Sequence, residues 1–434
     1  MRVLISAGEA SGDAYGARIV ASLRAAGVLS NEVFARDLVK DLMQDSKGVL
    51  ARAHRDLVQV YGAPLATFHP RTEQELSNAL VAAINDGTVD IQRIESEALA
   101  AIGGRKLKAA GAGVVSDSST WGAVGIIESL FVAPRVFEGY QSAMSLLKSS
   151  GPGLFIPIDF GYLNIKLARQ AKRLGWKVLY FVPPGSWRRT KQGSDLPNIT
   201  DAIVTPFSWS ADILRSMGAN AHFFGHPLKE MVAESDYQGP RDAVAVLPGS
   251  RLHEVSRNMD VIAEAVRGLD VRLRFAVASS LDVAEVERRW EDLGGPEAEF
   301  MTDTYQVLKS STAAIVCSGT ATLEAALCGC PMVVVYRTSL LMELEFRIRR
   351  PKFDYISLPN ILLQRLVVPE LIQYDASPER IRHELTGLLE DSLVRDAQLA
   401  AFQELDKELG SGRCFEQTAQ LALSLTMGEN GALQ

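Results

Sequence analysis

Residues 315–336 read IVCSGTATLEAALCGCPMVVVY. The runs Ile315–Cys317 and Pro331–Tyr336 are apolar without alternation, the pattern of strands buried on both faces of a parallel sheet. Between them Ser318, Gly319, Thr320, Ala321 and Thr322 form a stretch of small residues, and ATLEAALCG reads as a helix. Strand, helix, strand in that order is the crossover unit that parallel strands require.

The same rhythm extends in both directions. Strand-like runs begin at Arg2 (RVLISAG), Gly153 (GLFIPID), Lys177 (KVLYFVP), Asp201 (DAIVTP), Ala221 (AHFFGHP), Ala243 (AVAVLPGS) and Arg272 (RLRFAVAS), with helical text between them. The expected class is α/β, with two Rossmann-like, doubly wound parallel sheets. The expected domains are 1–205 and 206–390, followed by helices over 391–434 that pack back across both. Residues 31–97 break the rhythm. They are helical text without a clear strand, and Thr72 with Glu75 fits a capping box, so they read as a helical insertion in the first domain.

Bulk composition narrows the class. Of 434 residues, 45 are Lys or Arg and 52 are Asp or Glu, a net charge of −7, which disfavours a general nucleic-acid binder. Cys317, Cys328, Cys330 and Cys414 match neither zinc spacing nor a disulfide framework, so they are expected to be small buried hydrophobes in a reducing compartment. The chain opens directly on a strand, with no signal-peptide pattern, and no run reaches the ~18 apolar residues of a spanning helix.

Five turns carry chemistry. The Ser318–Thr320 turn opens a helix whose free N–H groups and dipole attract anions, and Glu324, about one turn in, suits the two hydroxyls of a ribose. VLPGSRLHE puts Gly249, Ser250 and Arg251 at a strand's carboxyl end, where a guanidinium can grip a pyrophosphate; His253 and Glu254 read as a solvated loop pair. SAGEASGD sets Gly8, Glu9, Ser11, Gly12 and Asp13 in a tight turn that lacks G-x-G-x-x-G. Its acids would repel phosphate and favour a neutral sugar or a catalytic role. Asp159 ends an apolar strand as a general-base candidate, with a helix cap as the plain alternative. His226, in FFGHP, is a cleft candidate, though most lone histidines are structural.

Taken together, GEASGD (8–13), GHPL (225–228), LPGSR (247–251), SGTATLEAAL (318–327) and YISLPNILL…VVPELIQ (355–373) resemble, in this order, the lipid-A-disaccharide synthases. These are inverting glycosyltransferases of the two-domain GT-B kind. AAIGG near Ile102 and VGIIESL from Val124 extend the similarity, which leaves out about 31–97. The resemblance implies transfer from UDP-2,3-diacylglucosamine to 2,3-diacylglucosamine 1-phosphate, a β-1,6 bond, release of UDP, and no metal or other cofactor. It implies that Arg251, with Gly249, Ser250, Ser318, Gly319 and Thr320, holds the diphosphate and that Glu324 holds the ribose. Asn360 would join the donor site. Glu370, Gln373, Gly8, Ser11, Gly12 and His226 would line the cleft or acceptor side. Asp159 and Glu9 would be the catalytic candidates. Its partners would be a UDP-sugar, an acylated sugar phosphate, the inner face of the inner membrane and, as an open question, a second copy of the chain.

Departures cluster in the first half. After the strand-end aspartate the family reads Asp-Phe-Asn; this chain reads Gly161, Tyr162, Leu163, Asn164. A tryptophan-rich loop has become PPGSWRR, keeping Trp187. Two alternatives therefore stay open: a UDP-sugar transferase with a different acceptor, and an inactive nucleotide-sugar-binding relative. For membrane contact the candidates are VGIIESLFVAP (124–134) and TSLLMELEFRIRRPKF (338–353). The second sets Arg347, Arg349, Arg350 and Lys352 beside Leu340, Leu341 and Phe346.

Overall fold

The computed structural model describes residues 2–46, 48–61, 65, 68–86, 88–89, 98–121, 126–189, 191–338 and 354–426. Of the two stretches read as membrane candidates, 338–353 lies outside these residues except for Thr338, whereas most of 124–134 falls at the start of the helix Ile126–Ser149. Among the described residues no helix is long and apolar enough to cross a membrane.

The first sheet is built from β1 (Val3–Ala7), β2 (Leu99–Gly103), β3 (Gly113–Asp117), β4 (Leu154–Ile158), β5 (Lys177–Phe181), β6 (Ala202–Thr205) and β7 (Ala221–Phe223). The second contains β8 (Ala243–Leu247), β9 (Arg272–Ala276), β10 (Ala298–Met301), β11 (Ser311–Cys317), β12 (Met332–Tyr336) and β13 (Glu370–Ile372). Every pairing is parallel, and the orders are β3-β2-β1-β4-β5-β6-β7 and β10-β9-β8-β11-β12-β13. The opening stretch takes its expected form: β11, the helix Thr320–Leu327, then β12. Side chains alternate between layers. In β11, Ala314 and Val316 join one core, while Ala313 and Ile315 join another beneath the helices of the second lobe.

Three features differ from the sequence reading. β7 pairs with β6 (Ile203↔Ala221), so the first sheet runs past residue 205, where the first domain was expected to end. β2, β3, β10 and β13 were not read as strands. β2 is LAAIG, buried throughout but made mostly of small residues, and β13 has only three residues. Glu254 is buried rather than part of a solvated pair. Residues 31–97 contribute helices at Asn31–Asp45, Leu50–Tyr61 and Glu73–Asn85, and Thr72 Oγ1 caps the last by accepting the Glu75 N–H at 3.1 Å.

The chain crosses between lobes and then returns. After β7, His226 N–H donates to Leu409 O at 2.8 Å, tying the linker to the end of the helix Ser392–Glu408. The final helix, Cys414–Thr426, packs back on the helix Ala10–Ala25, and Phe415 stacks on Phe181 with centroids 5.9 Å apart. All four cysteines are buried free thiols, and burial pushes Cys317, Cys328 and Cys330 up to about 12.

Candidate active site

In a doubly wound sheet, ligands bind outside the carboxyl ends of the strands where the strand order reverses. The reversal falls between β1 and β4 in the first lobe and between β8 and β11 in the second. The loops leaving these four strands carry Glu9, Asp159, Arg251 and the Ser318–Thr320 turn. Arg251 Nη2 lies 3.4 Å from Glu9 Oε1. The two reversal points therefore face each other across the cleft.

The second-lobe loops are shaped for close approach to the backbone. Gly249 has φ 136 and Gly319 has φ 144, conformations that favour glycine. Arg251 is largely buried and donates through Nη1 to Glu254 Oε1 at 2.7 Å; Glu254 Oε2 also accepts the Ser250 N–H at 3.2 Å. Burial works against the Arg251 charge, but Glu254 and Glu9 outweigh it and keep the guanidinium protonated. The Arg251 Nε atom is buried without a hydrogen-bond partner. Asn258, fully buried, fixes the loop from below: Nδ2 donates to Pro248 O at 2.8 Å and Oδ1 accepts the Arg337 N–H at 3.0 Å.

The hydroxyls of the second loop divide. Ser318 Oγ donates to Ile356 O at 2.9 Å, and Thr322 Oγ1 donates to Gly319 O at 2.8 Å, so both hold the loop. Thr320, the first residue of the helix, is half-buried. Glu324 accepts from Tyr305 Oη at 3.2 Å. Burial raises its carboxyl, against the Tyr305 hydrogen bond and Lys106. Tyr305 carried no signal in the sequence.

In the first lobe, Glu9 precedes the helix Ala10–Ala25, and its side chain makes no cap bond to that helix. Burial raises its carboxyl, Arg251 lowers it, and Glu254 raises it. Asp159 (φ 42) and Phe160 (φ 42) are consecutive non-glycine residues in the left-handed region, a local strain of the kind that gathers at functional sites. Burial first, and then the Glu9 carboxylate, push the Asp159 carboxyl up to about 7, against the favourable Phe160 N–H. The residue as a whole is exposed, so water screens part of this effect. Gly8 leaves room for the Phe160 ring: a Cβ there would lie 2.1 Å from Phe160 Cγ. Ser11 and Gly12 lie in the first turn of the helix, where Gly12 packs on Ala7. Asp13 is buried and caps another helix, accepting the N–H groups of Gly104, Lys106 and Leu107 at 2.7, 2.9 and 3.1 Å.

Several expected site residues have partners within the fold. Asn360 is fully buried, and both ends of its amide are engaged: Nδ2 donates to Val368 O and Glu370 Oε1, and Oδ1 accepts the Val367 and Val368 N–H groups. Glu370 also accepts from the Ile356 N–H and from the Ser357 N–H and hydroxyl. Gln373 Oε1 accepts the Thr338 N–H at 2.9 Å. His226 is buried, and burial lowers its ring to about 3, so the neutral Nδ1 accepts the Leu228 N–H and caps the helix Pro227–Ala233. Asn360→Ala is expected to cost about 1–3 kcal/mol of stability by orphaning buried groups. In thermal denaturation this appears as a lowered Tm, while UDP affinity of the protein that stays folded is retained.

Among the described residues no cluster of His, Cys, Asp and Glu could hold a metal ion. The match to the family of lipid-A-disaccharide synthetases covers residues 85–424. Lipid-A-disaccharide synthase of Geobacter metallireducens is 32% identical over 340 residues, 75% of this chain and 88% of that protein. The enzyme of Nitrosococcus oceani is 31% identical over 345 residues, 76% and 89% of the two chains. That of Syntrophus aciditrophicus is 33% identical over 344 residues, 75% and 89%. With two parallel sheets facing a cleft, paired reversal points and a match through both lobes, the chain belongs to the lipid-A-disaccharide synthase family, hexosyltransferases of lipid A biosynthesis with the GT-B fold.

Proposed function

We propose that the chain condenses UDP-2,3-diacylglucosamine with 2,3-diacylglucosamine 1-phosphate, inverting the anomeric centre to form a β-1,6 disaccharide. Asp159 accepts the proton of the acceptor hydroxyl as its oxygen attacks the anomeric carbon. The carbon–oxygen bond to UDP breaks on the opposite face, and the electron pair leaves with the diphosphate. Arg251, the Thr320 hydroxyl and the amides opening the helix Thr320–Leu327 stabilise the departing charge, and Glu324 takes the ribose hydroxyls. The observation that supports this reading best is the Arg251–Glu9 contact, because it sets the anion-binding loops of one lobe against the carboxylates of the other. The acylated substrates fit a protein working at the inner face of the inner membrane, alone or as a homodimer.

A second reading keeps the donor and changes the acceptor. Tyr162, 68% exposed, occupies the segment after Asp159 where the family carries an aspartate. Incubation with both acylated substrates separates the readings. Disaccharide and UDP are expected in equal amounts; UDP binding without disaccharide favours the second reading; no UDP binding overturns both.

A further inference from the structure

The chain carries a buried amide beneath the two carboxylates that no part of the reaction scheme employs. Asn164 is fully buried in the first turns of the helix Gly161–Arg173. Its Oδ1 accepts from Ser6 Oγ at 2.6 Å. Its Nδ2 lies 3.0 Å from Ser6 O, 2.9 Å from Ile158 O and 3.0 Å from Asp159 O. Two N–H bonds serve three carbonyls, so one bond is shared.

These partners belong to β1 and β4, the strands between which the chain order reverses. There the backbones part toward different helices, and carbonyls lose their ladder partners. Pro157 has no N–H to give, and the register recorded between β4 and β5 skips from Phe155 to Ile158. Asn164 bonds the carbonyls where β1 and β4 end, at Ser6, Ile158 and Asp159. On β1 it fixes the residue three before Glu9. Just beyond β4 it fixes the carbonyl of Asp159 itself, which also accepts from Tyr180 Oη at 2.8 Å. Consecutive left-handed residues persist only where their surroundings hold them, and Asn164 and Tyr180 are the side chains that grip this pair's backbone.

We propose that Asn164, through Ser6 and the carbonyl of Asp159, is a positioning residue that locks the Glu9 turn and the Asp159 turn into one rigid unit. This rests on the catalytic reading of Asp159 given above and goes beyond it. The chain departs from its family at Tyr162 but keeps an amide at Asn164, so the clamp is separable from the acceptor-facing change. The groups facing the Asp159 carboxyl are Glu9 from the first turn, Tyr15 from the helix behind it and Tyr180 from β5, with Arg251 and Glu254 beyond Glu9.

The test uses the full chain as Asn164→Ala, Asn164→Asp and Ser6→Ala. Turnover is expected to fall ~10²-fold in the Asn164 variants, the scale of a small misplacement of a reacting group. Ser6→Ala loses less, in the same sense. UDP affinity, read by calorimetry, stays at the wild-type value because the second lobe is untouched. Carbon-13 NMR of the Asp159 carboxyl should place its titration near 7 in the wild type and nearer the ordinary carboxylate range in Asn164→Ala, as the two turns loosen and Glu9 no longer sits fixed beside it. Should Asn164→Ala fail to fold, Ser6→Ala carries the same readouts. Wild-type titration and turnover in a folded variant overturn the proposal. Wild-type protein that makes no disaccharide defeats the catalytic reading instead, and the titration still decides the clamp.

Discussion

Asp159→Asn is expected to fold, to bind UDP like the wild type, and to turn over ~10²–10⁴-fold more slowly, the usual worth of a placed general base. Asparagine keeps the shape of the side chain and the backbone hydrogen bonds from Asn164 and Tyr180, so what is lost is the proton acceptor. The pH profile gives the second half of this expectation. The carboxyl is pushed up to about 7 by burial and by Glu9, and only its ionised form can take a proton. In the wild type, kcat/KM therefore rises with pH and levels off above about 7; below, it falls tenfold per unit. Stability has the opposite sign. A carboxyl with a raised folded value holds its proton in the native chain while the unfolded chain has lost it. Stability thus decreases as pH rises from the ordinary aspartate range through about 7. Asp159→Asn is expected to melt no lower than the wild type at pH above this window, because the backbone bonds from Asn164 and Tyr180 are kept and no carboxyl has to be held against burial. Stopped assays across pH, with melts on the same samples, check both directions.

Arg251→Ala is expected to weaken UDP binding by roughly 10- to 150-fold, the equivalent of a charge-assisted hydrogen bond worth ~1.5–3 kcal/mol. Turnover efficiency should fall further, by about 10²–10³-fold, because the departing diphosphate gains charge as the bond breaks. Arg251→Lys should recover little of this, since an ammonium cannot present two parallel donors to a diphosphate. Glu254 is buried and loses its partner in the alanine variant, so a lower Tm is expected as well. UDP titration is therefore made well below the melting transition. Glu9→Gln is the informative companion. Its carboxylate shares Arg251, and removing that charge leaves the guanidinium freer for a phosphate.

What the sequence revealed divides along physical lines. The strands of the core were readable because continuous apolar runs can be buried only between two layers of helices. β2 was not, because Leu99, Ala100 and Ala101 are as much at home in a helix as in a strand. The loops at Gly249–Arg251 and Ser318–Thr320 stood out because glycine, arginine and hydroxyl residues cluster there at a strand's carboxyl end. The Arg251–Glu9 contact was not, since its partners lie 242 residues apart and meet only when the lobes face each other. Asn360 and Glu370 show what a motif leaves unread: they hydrogen-bond one another and shape the loop over residues 356–370. Asn164 and Asn258 show how little sequence says of buried amides, whose role depends on which carbonyls the fold leaves unpaired.

On the function proposed above, the reversal points of the two sheets together form one seat for a uridine diphosphate and one base for its acceptor. A crystal structure of the chain with UDP tests it most directly. The expected result places the diphosphate against Arg251 and the Thr320 helix opening, the ribose hydroxyls on Glu324 and the free phosphate edge toward Asp159. A UDP molecule bound elsewhere, with Arg251 still held by Glu9 and Glu254, would contradict it.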